Sequence, residues 1–164
     1  MYVATIESLL KLYKIFIRII RLNLCILNKK KVIILDWLEH IIFALFVGWW
    51  LYVLLDFTLT ESIIYFMCIP IGGLLPDIDM PKSKLGKRVK PLSSFINKKV
   101  GHRTLTHSLF FITVLFYSSI IAFGINIISV GLMVGCVLHI FFDMMTPSGV
   151  PLAYPFSNKR YKLH

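Results

Sequence analysis

IISVGLMVGCVLHIFFDMM, residues 127–145, is apolar and long enough to cross a bilayer as a helix, yet it holds a histidine and an aspartate. His139 and Asp143 are four residues apart, so a helix puts them on one face. An ionisable group inside a membrane span is costly and is by default a functional hypothesis. Three more apolar stretches lie upstream, at about 32–55, 59–75 and 105–123. The chain of 164 residues is 57% hydrophobic, with a mean hydropathy of +0.78. These values exclude an ordinary soluble domain. The expected fold is all-α: an integral membrane bundle of about four transmembrane helices, forming one domain over residues 28–164. Pro70, Gly72 and Gly73 are expected to bend or stop the second span. Residues 1–27 read as a preceding amphipathic helix in the membrane interface, with a tilted span as the alternative. There Lys11, Lys14, Arg18 and Arg21 make one helical stripe, and Leu9, Leu12, Ile15 and Ile19 take other faces. The same cations argue against a cleavable leader.

The charge pattern orients the bundle. The net charge is +10. Lys and Arg gather before the first span, in a basic loop at about 80–100, and in the tail. The two opposite connections carry only Asp56 and Glu61. By the positive-inside rule, both termini and the loop face the cytoplasm of an inner membrane. Basic residues flanking apolar spans suit anionic membrane lipids as partners, and no nucleic acid is expected. Cys25, Cys68 and Cys136 are scattered in apolar runs and read as small fillers rather than a disulfide or zinc framework.

In this topology one end of the bundle collects the polar residues. Asp36, Glu39 and His40 open the first span. Asp77 and Asp79, in LLPDIDMP, close the second. His102, Arg103 and His107 open the third, and His139 and Asp143 end the fourth. In an extended segment Asp77 and Asp79 would face one way, and Thr104 or Thr106 could cap the third helix. Imidazoles and carboxylates from several helices are how metal centres in bundles are built. A donor set of nitrogen and oxygen without thiolate suits catalytic Zn, Mn or Fe. Each residue also has a plainer reading. Asp36 with Lys31 could be a surface ion pair, Asp77 and Asp79 turn caps, Arg103 a snorkelling cation, and His139 a satisfied core histidine.

LEHIIFALFVG (38–48), GGLLPDIDMPKSKLG (72–86), HRTLTHSL (102–109) and HIFFDMMTPSGVPLAYPFS (139–157) together resemble the signature blocks of the YdjM-type membrane-bound metal-dependent hydrolases. The resemblance covers most of the chain and leaves residues 1–27 outside. It implies metal-ligand roles for His40, Asp77, Asp79, His102, His107, His139 and Asp143. It also implies a distant likeness to all-helical zinc phospholipases.

The resulting expectation is hydrolysis at the cytoplasmic membrane surface by one or two divalent ions, Zn first, with Mn or Fe as alternatives. The substrate would be a phosphoester such as a phospholipid or lipid-linked phosphate. Asp36 or Glu39 would accept a proton from water, and Arg103 would grip a phosphate oxygen. A metal or proton transporter and a non-catalytic membrane adaptor are the rivals. There is no Gly-x-Ser-x-Gly elbow and no Walker loop, which argues against a serine lipase or an ATPase.

Overall fold

Capping residues and glycines at helix ends divide the chain into its elements. The computed structural model describes residues 32–163, with side chains for Leu38 and from His40 onward. The expected interface helix at 1–27 and the side chains of Asp36 and Glu39 therefore lie outside the described residues. The helices are α1 (Val32–Val53), α2 (Leu59–Leu74), α3 (Lys84–Arg88), α4 (Lys90–Val100), α5 (Leu109–Phe123) and α6 (Ile127–Met144). Two 3-10 turns, Pro76–Asp79 and Leu105–His107, interrupt them. The described residues contain no strand, only an isolated bridge between Val150 and Tyr161.

Thr58 and Glu61 start α2 as a reciprocal capping box, each side chain meeting the other's backbone amide. Pro70 lies inside α2, which nevertheless continues to Leu74. Asn126 starts α6, its side-chain oxygen accepting from the Ile128 and Ser129 amides. Together α2 and α6 form the main helix pair, and glycines set their separation. A Cβ on Gly72 would collide with the Leu132 carbonyl, and one on Gly135 with the Ile69 carbonyl. A Cβ on Gly131 would stand 2.7 Å from the Cβ of Cys68. GLMVG (131–135) is thus a small-xxx-small face along which two backbones touch.

Among the described residues, two segments are long and apolar enough to cross a bilayer: α2 with its following turn, Leu59–Asp79, and α6, Ile127–Met144. Of the other two expected spans, α1 runs Val32–Val53 with its side chains described for Leu38 and from His40 onward, and Leu109–Phe123 is a shorter apolar helix. At 1.5 Å per residue α5 extends only about 23 Å. It begins four residues later than expected because Ser108, not Thr104 or Thr106, caps it by accepting from the Phe111 amide. Ile63, Met67 and Ile71 on α2, and Phe110, Val114 and Tyr117 on α5, form exposed apolar stripes suited to lipid.

The expected loop at 80–100 contains two helices, α3 and α4. Ser83 caps α3 through the Gly86 amide, and Pro91 fits the first turn of α4. The tail folds back over the same end of the bundle. Leu152 accepts from the Leu109 amide, Val150 and Tyr161 exchange backbone hydrogen bonds, and the Leu163 amide donates to Met144. Val150 packs with Cys136 and Ile140, with Phe111, Ile112 and Leu115 around them.

The glycine contacts predict contrasting substitutions. Gly135→Ala should destabilise the protein by about 1–3 kcal/mol, because backbone atoms must move to admit the methyl. Gly73→Ala meets only a contact of 3.6 Å, with the Gly135 carbonyl, and should leave the melting temperature nearly unchanged. Thermal unfolding in detergent, read by circular dichroism, checks both.

Candidate metal centre

All seven sequence-expected ligands meet at one end of the bundle. His40 comes from α1, His139 and Asp143 from one face of α6, and Asp77 and Asp79 from the 3-10 turn that ends the span containing α2. His102 and His107 come from the segment before α5. The PDID turn is 3-10 rather than extended, because Leu75 retains helical backbone angles and Pro76 takes a first-turn position. Three overlapping ligand sets result: His40, His139 and Asp143; Asp77, His107 and His139; Asp77, Asp79 and His102. Within each set the donor atoms lie within 4.8 Å of one another.

Asp143 is the hub. Its Oδ1 accepts from Arg103 NH2 at 2.7 Å and lies 3.1 Å from His40 Nε2. Its Oδ2 lies 3.1 Å from His107 Nε2 and 3.8 Å from His139 Nε2. His139 Nε2 is also 3.8 Å from Asp77 Oδ1. The His40 ring stacks on His139 with centroids 4.2 Å apart.

Around Asp79 the polar groups are arranged differently. Its carboxylate pairs with His102 Nδ1 at 2.8 Å and accepts from the Arg103 amide at 3.0 Å and the Thr106 hydroxyl at 2.6 Å. Arg103 reaches it with φ of 56°, a left-handed backbone that costs a non-glycine residue about 1–2 kcal/mol. The Thr106 hydroxyl has one proton, which goes to Asp79. His107 Nδ1, 3.0 Å from that hydroxyl oxygen, must therefore be the donor to it. In a neutral imidazole this hydrogen-bond chain fixes the His107 tautomer, with the proton on Nδ1 and the lone pair on Nε2.

That lone pair faces the centre of the cluster. His107 Nε2, His139 Nε2 and Asp143 Oδ2 are buried and make no hydrogen bond among the described residues, although two of the spacings are 3.1 and 3.8 Å. Electron-rich atoms this close repel unless a proton or a cation lies between them, and a divalent cation can serve all three at once. Ligand atoms about 2.0–2.2 Å from a tetrahedral ion stand roughly 3.4 Å apart, and the two spacings bracket that value. The donor set and its geometry thus fit a divalent metal.

Arg103, expected to hold phosphate, is engaged by the protein here: besides Asp143 it donates to Thr146 at 3.2 Å and Ser148 at 2.6 Å. Thr106 reads in the sequence as a helix cap or as a donor behind the ligands, and the structure gives it the second role. The glycines of α6 carry no functional reading in the sequence, although GLMVG was the signal available for them. Burial alone would lower the His102 imidazole pKa, but the hydrogen bond and charge of Asp79 outweigh it and raise the pKa above the usual histidine value.

The chain matches the YdjM inner membrane protein family over residues 35–164. It is 38% identical over 85 residues to the uncharacterized protein YvsG of Bacillus subtilis, covering 52% of this chain and 53% of that one. To the inner membrane protein YdjM of Escherichia coli, and equally to that of Shigella flexneri, it is 45% identical over 91 residues. Those matches cover 50% of this chain and 44% of each relative. The chain thus spans about half the length of the curated relatives it matches. No solved structure matches it.

The hydrogen-bond chain predicts that Thr106→Val removes the acceptor for a buried His107 N–H and costs about 1–3 kcal/mol, while Thr106→Ser restores stability. Nitrogen-15 NMR of the histidine rings should show a shifted tautomer balance in the valine variant alone. A second prediction concerns pH. A raised folded pKa means that His102 stabilises metal-free protein most below the unfolded value, and that this is lost as pH rises through the folded value. In the presence of chelator, His102→Gln should lower the melting temperature more at pH 5.5 than at pH 9. Together, the match across most of the chain and the four signature blocks gathered at one end of a helical bundle establish that this protein belongs to the YdjM inner membrane protein family.

Proposed function

We propose that the cluster is the metal centre of a membrane-bound hydrolase, open to the cytoplasmic face and acting on a phosphoester such as a phospholipid or lipid-linked phosphate. The observation carrying this reading is the convergence of His107 Nε2, His139 Nε2 and Asp143 Oδ2, all buried and without hydrogen bonds. Orientation toward the cytoplasm rests on the basic segments at the same end of the bundle. The rival transporter reading calls for ionisable groups near mid-membrane, whereas these gather where the spans end.

A divalent ion held there, Zn first and Mn or Fe as alternatives, would lower the pKa of a water toward neutrality and polarise a phosphoryl oxygen. In this reading His107, His139, Asp143 and Asp77 would hold it. His40 and Arg103 fix the other oxygen of Asp143 and offset its charge. Asp79 and Thr106 orient His107. With His102, Asp79 and Asp77 also form an outer set that could take a second ion. The guanidinium of Arg103 is part-exposed beside the cluster, where it can meet a substrate phosphate. Asp36 and Glu39 remain the candidates for accepting the proton of the attacking water.

Elemental analysis of detergent-purified protein tests the centre. Wild type should hold at least one divalent ion per chain, and His139→Ala or Asp143→Ala should lower the content about tenfold or more. The loaded wild type should hydrolyse a model phosphodiester or extracted phospholipid. Metal-free wild type that remains inert after reloading would sink the proposal.

A further inference from the structure

The two faces of α4 are arranged the opposite way from a helix on a water-facing surface. Ser93 and Asn97, four residues apart, point inward: Ser93 is fully buried, and Asn97 Nδ2 donates to the Asp79 carbonyl at 2.9 Å. Leu92, Phe95 and Lys99 share the opposite face at spacings of three and four. There Leu92 is 49% and Phe95 60% exposed. Lys90, Lys98 and Lys99 are exposed around them. From Met80 to Val100 the chain also carries Lys82, Lys84, Lys87 and Arg88 and has no acidic residue. A polar inner face and an apolar, cationic outer face require an apolar, anionic surface outside the protein.

Its depth identifies that surface. The Asp79 carbonyl that Asn97 grips belongs to the last residue of the candidate span Leu59–Asp79. Helix α4 therefore lies where a membrane span ends, at the level of lipid headgroups. A second copy of the chain would oppose this cationic face with an equally cationic one. We propose that α4 docks on the anionic surface of the bilayer, with Leu92 and Phe95 among the upper acyl chains and its lysines on lipid phosphates. Ser83 and Asn97 hold the carbonyls of Asp77 and Asp79, so this docking also seats the acidic turn against the membrane surface. The inference rests on the membrane reading alone and requires neither a metal nor turnover.

Nitroxide labels at Phe95→Cys, and separately at Leu92→Cys, in a Cys25→Ser background test it in full-length protein in nanodiscs. Collisions with oxygen report lipid, and collisions with a water-soluble nickel chelate report solvent. In phosphatidylcholine containing phosphatidylglycerol, both labels should favour oxygen over the chelate by several-fold relative to a label at Asn158→Cys. Omitting phosphatidylglycerol, or replacing Lys90, Lys98 and Lys99 with Gln, should lower that preference several-fold. Chelate access equal to that at position 158 would overturn the proposal. So would shielding from both reagents, which would mean a protein cover, or indifference to phosphatidylglycerol. Both labelled sites are exposed, and an unchanged thermal midpoint verifies folding of each variant.

Discussion

A carboxylate with no exposed surface has to be met by positive charge or donors, and Asp143 concentrates that demand in this protein. Arg103 and His40 satisfy one of its oxygens. The other faces two imidazole nitrogens with no hydrogen bond. Elements far apart in sequence are drawn to this point: α1 through His40, the segment before α5 through Arg103 and His107, and the tail through Thr146 and Ser148 on the Arg103 guanidinium.

Close approach of α2 and α6 makes the arrangement possible. Where Gly72, Gly131 and Gly135 remove side chains, the helices meet at backbone distance. That contact leads the end of the first candidate span to the end of the second, so Asp77 arrives beside His139. Small residues do in this bundle what a hydrophobic driving force cannot do within lipid, since lipid tails are as apolar as the side chains they would replace.

Around this centre lies a layer of polar residues that hold one another. Asp79 accepts from a backbone amide and a hydroxyl and pairs with an imidazole, and its own carbonyl is held by Asn97. Its oxygens are therefore engaged in orienting neighbours, while Asp77 and Asp143 keep an oxygen toward the centre. The sequence treats the two aspartates of DID alike. Only the fold distinguishes them, because the 3-10 turn aims them at different partners.

The sequence by itself determined the helical class, the apolar segments and the set of residues at one end. Those follow from local hydropathy, from charge placement, and from spacings such as that of His139 and Asp143. The four signature blocks made the family legible as well. Tertiary structure alone decided which donor atoms face each other and that Thr106 sets the tautomer of His107, whereas the Ser108 cap of α5 and the helices at 84–88 and 90–100 rest on local caps. The facing donor atoms and the Thr106 role depend on contacts between residues tens of positions apart, such as Thr106 with Asp79 or Arg103 with Asp143, and no local period in the chain encodes such pairings.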